Sequence, residues 1–515
     1  MRQECRGGRA KPEFPFRLRW LRVTALILLS FWVAFSPSAE SAPPNIVLIL
    51  ADDLGWNDLG YHGSEIETPH LDALAETGVQ LERFYVQPFC SPTRASVMTG
   101  KSSARLGIYQ PISKLDPGGL PLEETLLPEV LAESGYQSVM VGKWHLGHGE
   151  RAYFPNQRGF EHFYGNLTGG IGYWDHNHGG GHDWQRNGMT VREEGYATRL
   201  IADEAVRLVE LRDHDRPLFL LASFNAPHLP NEAPPASLDG YPETIEGRRR
   251  IHAGMVSELD RAVGRILKAL SQEGIRDNTL IWFFSDNGGL NASAYPEGLV
   301  TLMETLVNWF GEPLPIAFLE FVRGNVQEGA SDNGPLRGGK GDVYEGGIRV
   351  PSLLAWPGEI SSGQSNAFVT AEDVLPTLLQ AVGLSGRIPA DLNGRSRWRA
   401  IVNDEQAAPM DSGSHPFRVQ GLGGVALIDP PWKLVLRNAF PPWVEAPTEL
   451  YNIQEDPSEQ ENVAAGNPDR VQALTDLLDA QSLGPSQHAP YFRIVMDPDA
   501  FGGPEDRGPW AEAAD

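Results

Sequence analysis

The residues best suited to chemistry fall into three sets. Asp52-Asp53 and Asp286-Asn287 each follow a short apolar run, which places four oxygen donors at two strand ends. Donors of this kind suit a hard cation such as Ca²⁺ or Mg²⁺ rather than zinc. Cys90 opens the stretch Cys90-Ser91-Pro92-Thr93-Arg94, which closes with Thr99-Gly100. The third set joins Lys143-Trp144-His145, Pro227-His228 and Arg337-Gly338-Gly339-Lys340. Glycine-flanked loops let a backbone approach a ligand closely, and a tetrahedral oxyanion needs cations and donors on several oxygens. Histidines in the same loops can move protons near neutral pH. Each residue alone has a plainer reading, because strand-end aspartates often cap turns and lone lysines are solvated charges. Two acid pairs in equivalent settings, and two lysines in like loops, favour a site.

Alternating strands and helices would position these groups. Residues 45–51 read as a buried parallel strand ending at the first acid pair, and 68–77 as a helix stopped by Gly78. Strand 79–86 leads to a helix running towards Thr99, with Ser91 as N-cap and Pro92 at N1. Helix 125–134 and strand 136–141 deliver Lys143 and His145, and residues 165–190 read as loop. Helix 198–212, strand 217–224, helix 255–270 and strand 279–284 deliver His228 and then Asp286. The Gly-rich loop 333–351 carries Lys340 into strand 352–356 and helix 372–381. Polar residues gathered after strand ends are the α/β pattern, whose sites form at the carboxyl ends of strands.

Composition narrows the function classes. A chain of 515 residues that is 41% hydrophobic and 21% charged is globular and long enough for two or three domains. Its net charge of −25 argues against nucleic acid and means that an anionic substrate must be held by local cations. Arg17, Arg19 and Arg22 precede the apolar run 23–35, and small residues follow at 36–42. This reads as a signal peptide cut near 38–42, since a membrane span needs about 20 apolar residues. No stable membrane anchor is expected. Of the two cysteines, Cys5 leaves with the leader, so Cys90 is the single thiol of an exported chain and reads as a reactive group.

Taken together, the chain resembles the formylglycine-dependent sulfatases of the alkaline phosphatase superfamily over most of residues 44–465. The resemblance rests on Ala51-Asp52-Asp53-Leu54-Gly55-Trp56, on residues 90–100 and 142–147, and on 225–228, 285–289 and 335–351. It extends to the ending Glu449-Leu450-Tyr451-Asn452 with Asp456-Pro457 and Glu461-Asn462. Finer features are similar to the arylsulfatase B, or N-acetylgalactosamine 4-sulfatase, branch. They are Phe84-Tyr85-Val86-Gln87-Pro88, Arg158-Gly159-Phe160, Tyr164-Gly165 and Asp183-Trp184 with Asn187-Gly188. The resemblance implies an α/β/α sandwich around a mostly parallel sheet, followed by a smaller C-terminal α+β subdomain with a short antiparallel sheet. The expected division is a leader over 1–42, a catalytic domain over 43–400 interrupted near 291–330, and a C-terminal subdomain and surface tail over 401–515.

The resemblance also implies roles. Cys90 becomes formylglycine, the work of a formylglycine-generating enzyme, and its hydrate attacks sulfur to give a sulfated enzyme. Asp52, Asp53, Asp286, Asn287 and residue 90 bind one divalent cation, Ca²⁺ before Mg²⁺. Arg94 and His145 hold and activate the hydrate, Lys143 and Lys340 grip sulfate, and His228 assists the departing alcohol. A geminal diol suits this chemistry because one hydroxyl attacks and the other drives elimination.

The loop with Trp174, Asp175, His176, His178, His182, Asp183 and Trp184 interleaves aromatic and polar groups and is the candidate sugar contact, so the expected substrate is a sulfated carbohydrate. A zinc site from His176, His178 and His182 is the lesser alternative. The apolar segment 298–324 is longer than the family pattern and is expected to form a helical lid or partner surface. Rival functions are a phosphonate or phosphodiester hydrolase of the same superfamily, and a non-catalytic protein that binds sulfated glycan. Absent disulfides favour a bacterial periplasmic or secreted enzyme, and a eukaryotic one would be lysosomal or extracellular. In that setting the sequons Asn166-Leu167-Thr168 and Asn291-Ala292-Ser293 would matter.

Overall fold

Residues Asn45–Ala51 (NIVLILA) are aliphatic and fully buried, and as β1 they form the spine of the sheet. The computed structural model describes residues 42–114, 116–178, 181–242, 244–291, 330–402, 415–438 and 446–488. Residues 1–41, all but the last of the expected leader 1–42, and the segment 298–324 lie outside the described residues, as does the tail beyond 488. In chain order the next strands are β2 (Val79–Leu81), β3 (Phe84–Tyr85), β4 (Gln137–Gly142), β5 (His162–Gly165), β6 (Asn177–His178) and β7 (Gly181–His182). Then come β8 (Gln185–Arg186), β9 (Met189–Thr190), β10 (Leu218–Ser223), β11 (Thr279–Ser285), β12 (Ser352–Ala355), β13 (Gly363–Ser365) and β14 (Val369–Thr370).

The large sheet has the order β13-β2-β12-β11-β1-β10-β4-β5-β8-β9. Its centre, β11-β1-β10-β4-β5, is parallel, while β12, β8 and β9 pair antiparallel towards the edges. Because strand side chains alternate in direction, Ile46, Leu48 and Leu50 enter one core and Val47, Ile49 and Ala51 the other. The first core is covered by α2 (Cys90–Thr99), α3 (Leu127–Glu133) and α7 (Val374–Ala381). The second is covered by α1 (Pro69–Thr77), α4 (Ala197–Glu210) and α5 (Gly247–Gln272). This is the expected α/β/α sandwich. Two short helices, α6 (Glu345–Ile348) and α8 (Trp398–Val402), flank α7 along the chain.

After α8 an antiparallel sheet runs in order through β15 (Phe417–Gly421), β16 (Gly424–Asp429), β17 (Trp432–Arg437) and β18 (Thr448–Asn452). Helix α9 (Pro468–Asp479) covers it through Leu474 and Leu478. Residues 484–487 then lie along the 104–107 turn, with Gly484 N–H donating to Ala104 O and Gln487 N–H to Gly107 O.

Four sequence expectations need correction. The expected strand 79–86 is broken by a turn at Glu82-Arg83 into β2 and β3, which pair in different sheets. Helix α2 begins at Cys90 with Phe89 as N-cap, and the Ser91 hydroxyl accepts the Ile112 N–H (3.0 Å) instead of capping. Helix α5 starts eight residues before the expected Met255, because its first turns are held by polar contacts, Arg249 to Asp58 and Glu65 and His252 to Asp58. Residues 165–190 are not simple loop, since Asn187 and Gly188 both take positive φ (53° and 77°) and turn β8 back into β9.

Candidate active site

Strand parity brings the acids together. Asp52 continues the face of Leu48 and Leu50, and Asp286 that of Trp282 and Phe284, so both point to the face covered by α2. Asp286 N–H donates to Ala51 O (3.0 Å), which holds the two strand ends side by side. At Asp53 the chain turns into a left-handed conformation (φ 67°), which brings a second carboxylate to the same spot. His145 is likewise left-handed (φ 59°). Such conformations are costly for residues with a Cβ and cluster at functional sites.

Cys90 is buried at the start of α2, and Arg94 lies one helical turn further on. Its guanidinium grips Asp286 Oδ2 from Nε (2.8 Å) and Nη2 (2.7 Å), and Nη1 donates to Lys143 O (2.8 Å) and the Ser223 hydroxyl. Lys143 follows β4 and places its ammonium 2.6 Å from Asp52, both side chains fully buried. Lys340 reaches Asp53 at 2.6 Å from the opposite side. Three acids and three permanent cations therefore balance in one buried cluster. Burial alone would raise Asp52, but Lys143, His228 and Arg94 hold it well below the usual carboxylate range. Burial, with repulsion from Asp52, pushes Asp286 up to about 7 against the pull of Arg94.

His145 engages Ile112 O through Nε2 (3.0 Å), so the neutral ring carries its proton there and leaves Nδ1 as the acceptor. Nδ1 is buried without a protein partner. Burial, aided by Lys143 and Arg94, lowers this histidine well below its ordinary range. His228 donates from Nδ1 to Leu229 O (2.6 Å) and turns Nε2 towards Asp53 Oδ2 (3.7 Å). Burial and then Lys340 lower it too.

The donor set fits a hard divalent cation. Candidate ligand atoms of Asp52, Cys90 and Asp286 lie within 4.8 Å of one another, as do those of Asp52, Asp53 and His228. Asp52 Oδ1 and Asn287 Oδ1 are buried and accept no hydrogen bond from the protein, although burying an oxygen that nothing satisfies is costly. Asn287 Nδ2 donates to Asp53 Oδ1 (2.7 Å), which turns the amide oxygen away as a free ligand.

The structure divides the expected sugar loop. Asp183, Trp184 and His176 are buried and serve the loop itself. Asp183 accepts Leu167 N–H and Thr168 N–H, Trp184 stacks on His176 at 4.6 Å, and His176 pairs with Gly195 O. Trp174 (47% exposed) and Asp175 are open to solvent, with Trp174 resting on Tyr196. His178 and His182 are half-buried, and their ring nitrogens meet carbonyls of Gly170, Asp175 and Val191 rather than one another. Sequence reasoning missed three supports. Ser223 links Arg94 to Lys143 O, Tyr173 OH bonds the carbonyls of Asn225 and His228, and Gly169-Gly170 lie flat against the rings of His145 and His228. The Asn166 sequon is buried, its amide donating to Thr168 O and Gly169 O. The ends of the 291–330 insertion meet beside Asn287, with Ser331 N–H donating to Leu290 O (3.2 Å).

A parallel-centred sheet with an acid-rich anion site at its strand ends is the alkaline-phosphatase-like fold, and solved structures share it. A crystal structure of Ps i-CgsB is 30% identical, with a TM-score of 0.71 over 85% of this chain and 92% of that one. The sulfatase family model matches residues 44–384, and the chain belongs to the sulfatase family. Arylsulfatase J of Mus musculus is 34% identical over 386 residues, covering 73% of this chain and 58% of that protein. N-acetylgalactosamine-6-sulfatase of Homo sapiens is 32% identical over 371 residues, covering 68% and 64%. The chain thus aligns with about three fifths of the length of these two relatives. Among the described residues no helix is long and apolar enough to cross a membrane.

Proposed function

We propose that this protein hydrolyses the sulfate esters of a sulfated carbohydrate, with Cys90 converted to formylglycine and one divalent cation, Ca²⁺ by preference, at Asp52, Asp53, Asp286, Asn287 and residue 90. The observation that carries the reading is Cys90 standing among three acids and three cations at strand ends, in a chain of the sulfatase family. The modified residue supplies a hydrated aldehyde whose two hydroxyls serve attack and elimination in turn. The cation, when bound, adds positive charge where the ester oxygens collect.

The remaining chemistry belongs to side chains. With all three acids ionised around it, a bound divalent cation would leave the site net positive, which would admit an anionic ester into a chain of net charge −25. Lys143 and Lys340 pair with Asp52 and Asp53, and their ammonium groups can turn from these acids to sulfate oxygens. Arg94 holds Asp286 and the Lys143 backbone at once, which fixes the lysine relative to α2. His145 accepts a proton from residue 90 at Nδ1, since Nε2–H is committed to Ile112 O. His228 gives a proton to the departing alcohol from Nε2. Lowered by burial and Lys340, it holds that proton best once the anion is bound.

A sugar sulfate suits the exposed Trp174 on its Tyr196 support. The names of relatives point the same way, as does a solved structure of Ps i-CgsB in complex with k-i-k-neocarrahexaose. The leader expected over 1–42 supports an exported enzyme, with a formylglycine-generating enzyme as its maturation partner. The test is sulfate release from sulfated oligosaccharides by protein co-expressed with that enzyme, against a phosphonate monoester and a Cys90→Ala control. Turnover of the sulfate ester that is lost with Cys90 supports the reading. Preference for the phosphonate, or stoichiometric binding without turnover, overturns it.

A further inference from the structure

The loop that carries Lys340 has one four-residue helix, α6, and a few backbone turns of its own, and is tied to its neighbours on two sides. On one side it is tied to the catalytic strands. Lys340 N–H donates to Gly289 O (3.1 Å) and Gly341 N–H to Pro88 O (2.9 Å), two residues before Cys90. Its other side is held by the C-terminal sheet. Leu422 N–H, in the β15–β16 turn, donates to Gly341 O (3.0 Å). Arg337 lies over the Tyr344 ring (3.7 Å) and donates to Tyr451 OH (2.9 Å). Tyr344 OH donates to Glu449 (2.7 Å), and Glu345 N–H to Glu459 (2.7 Å).

Behind these contacts sits Lys433 of β17, its side chain fully buried. Its ammonium lies 3.0 Å from Glu345 and 2.7 Å from Glu459, and Tyr85 OH donates to the other Glu345 oxygen (2.8 Å). A buried ion cluster stabilises little more than apolar packing of the same volume would, while removing one member is strongly destabilising.

We propose that Lys433 is a positioning residue for Lys340: its ammonium, shared by Glu345 and Glu459, locks the 333–351 loop onto the C-terminal sheet and so sets where Lys340 stands beside Asp53 and Cys90. The inference rests on the sulfatase reading of Lys340, and it gives the 449–462 ending a place in the site. Glu449 and Tyr451 grip the front of the same loop while Glu459 grips its helix.

The test uses the full, matured chain. Lys433→Met alone strands two buried carboxylates and risks unfolding, so it is paired with Glu459→Gln. The double variant should keep a cooperative melt and the slow hydrogen exchange of β11, while exchange over 333–351 accelerates. Its kcat/KM for an aryl sulfate should fall about 10- to 100-fold, the scale of a misplacement near 1 Å. The same change in a Lys340→Ala background should cost little more, since the two act as one unit. Unchanged exchange over 333–351, or a full multiplicative loss on top of Lys340→Ala, overturns the proposal. If the wild-type chain turns over no sulfate ester, the functional reading fails and the exchange result alone decides the positioning.

Discussion

Gly170→Ala should separate the two stages of ester cleavage. A Cβ at Gly170 would lie 2.5 Å from His228 Cε1 and 2.6 Å from its Nδ1. Carbon atoms prefer about 3.5 Å or more, so the ring must withdraw by roughly 1 Å. Leu229 O, 3.0 Å from the new atom, accepts the His228 Nδ1–H and limits the ring's escape. A displacement of that size costs on the order of 100-fold in rate, about 2.7 kcal/mol of transition-state stabilisation. The penalty depends on the leaving group. A sugar alcohol needs the proton that His228 supplies, whereas a nitrophenol leaves as its anion. The variant should therefore lose about 100-fold in kcat on a sugar sulfate and only a few-fold on a nitrophenyl sulfate. Steady-state kinetics on both esters, with a melt to check folding, decides it. Equal losses on the two substrates would refute the assignment of His228 to the departing alcohol.

Ca²⁺ at about 100 times its dissociation constant should stabilise the wild type by ~2.7 kcal/mol, read as a rise in Tm, and Asp286→Asn should abolish the rise. An equal rise in the variant would remove Asp286 from the metal site. Trp174→Ala should fold normally and raise KM for the sugar sulfate about 3- to 10-fold, while leaving the aryl sulfate unchanged. Trp184→Ala should instead lower stability by about 3–5 kcal/mol, because that ring is buried. Burial raises the Asp260 carboxyl to about 6, against hydrogen bonds from Leu71 and His70 N–H at the start of α1. The folded state then holds this proton where the unfolded chain does not. The group's contribution therefore falls as pH rises from about 4 through 6, by at most about 3 kcal/mol. Urea midpoints of the wild type and Asp260→Asn at pH 4 and pH 7 should differ in that sense.

Much of the site was legible because strand ends are easy to read. Continuous apolar runs mark β1, β10 and β11, and period-2 alternation from Leu50 to Asp52 and from Phe284 to Asp286 fixes which face each acid takes. Less legible was anything that depends on contacts distant in sequence. Whether Asp183 meets sugar or the backbone of Leu167 cannot be read from an aspartate beside a tryptophan. The early start of α5 was hidden because polar partners, not apolar periodicity, hold Arg249 and His252. The β8–β9 hairpin did leave a signal in Asn187-Gly188, which the glycine- and histidine-rich surroundings obscured. The tie between Lys433 and the Lys340 loop joins residues 88 positions apart, and no local pattern announces it.

Peptide mass spectrometry across residues 84–105 tests whether Cys90 is the precursor of the nucleophile. On protein from its native host, residue 90 should carry the mass of formylglycine in most molecules, and the modified fraction should track sulfatase activity from one preparation to the next. An intact thiol at residue 90 in fully active protein would contradict it.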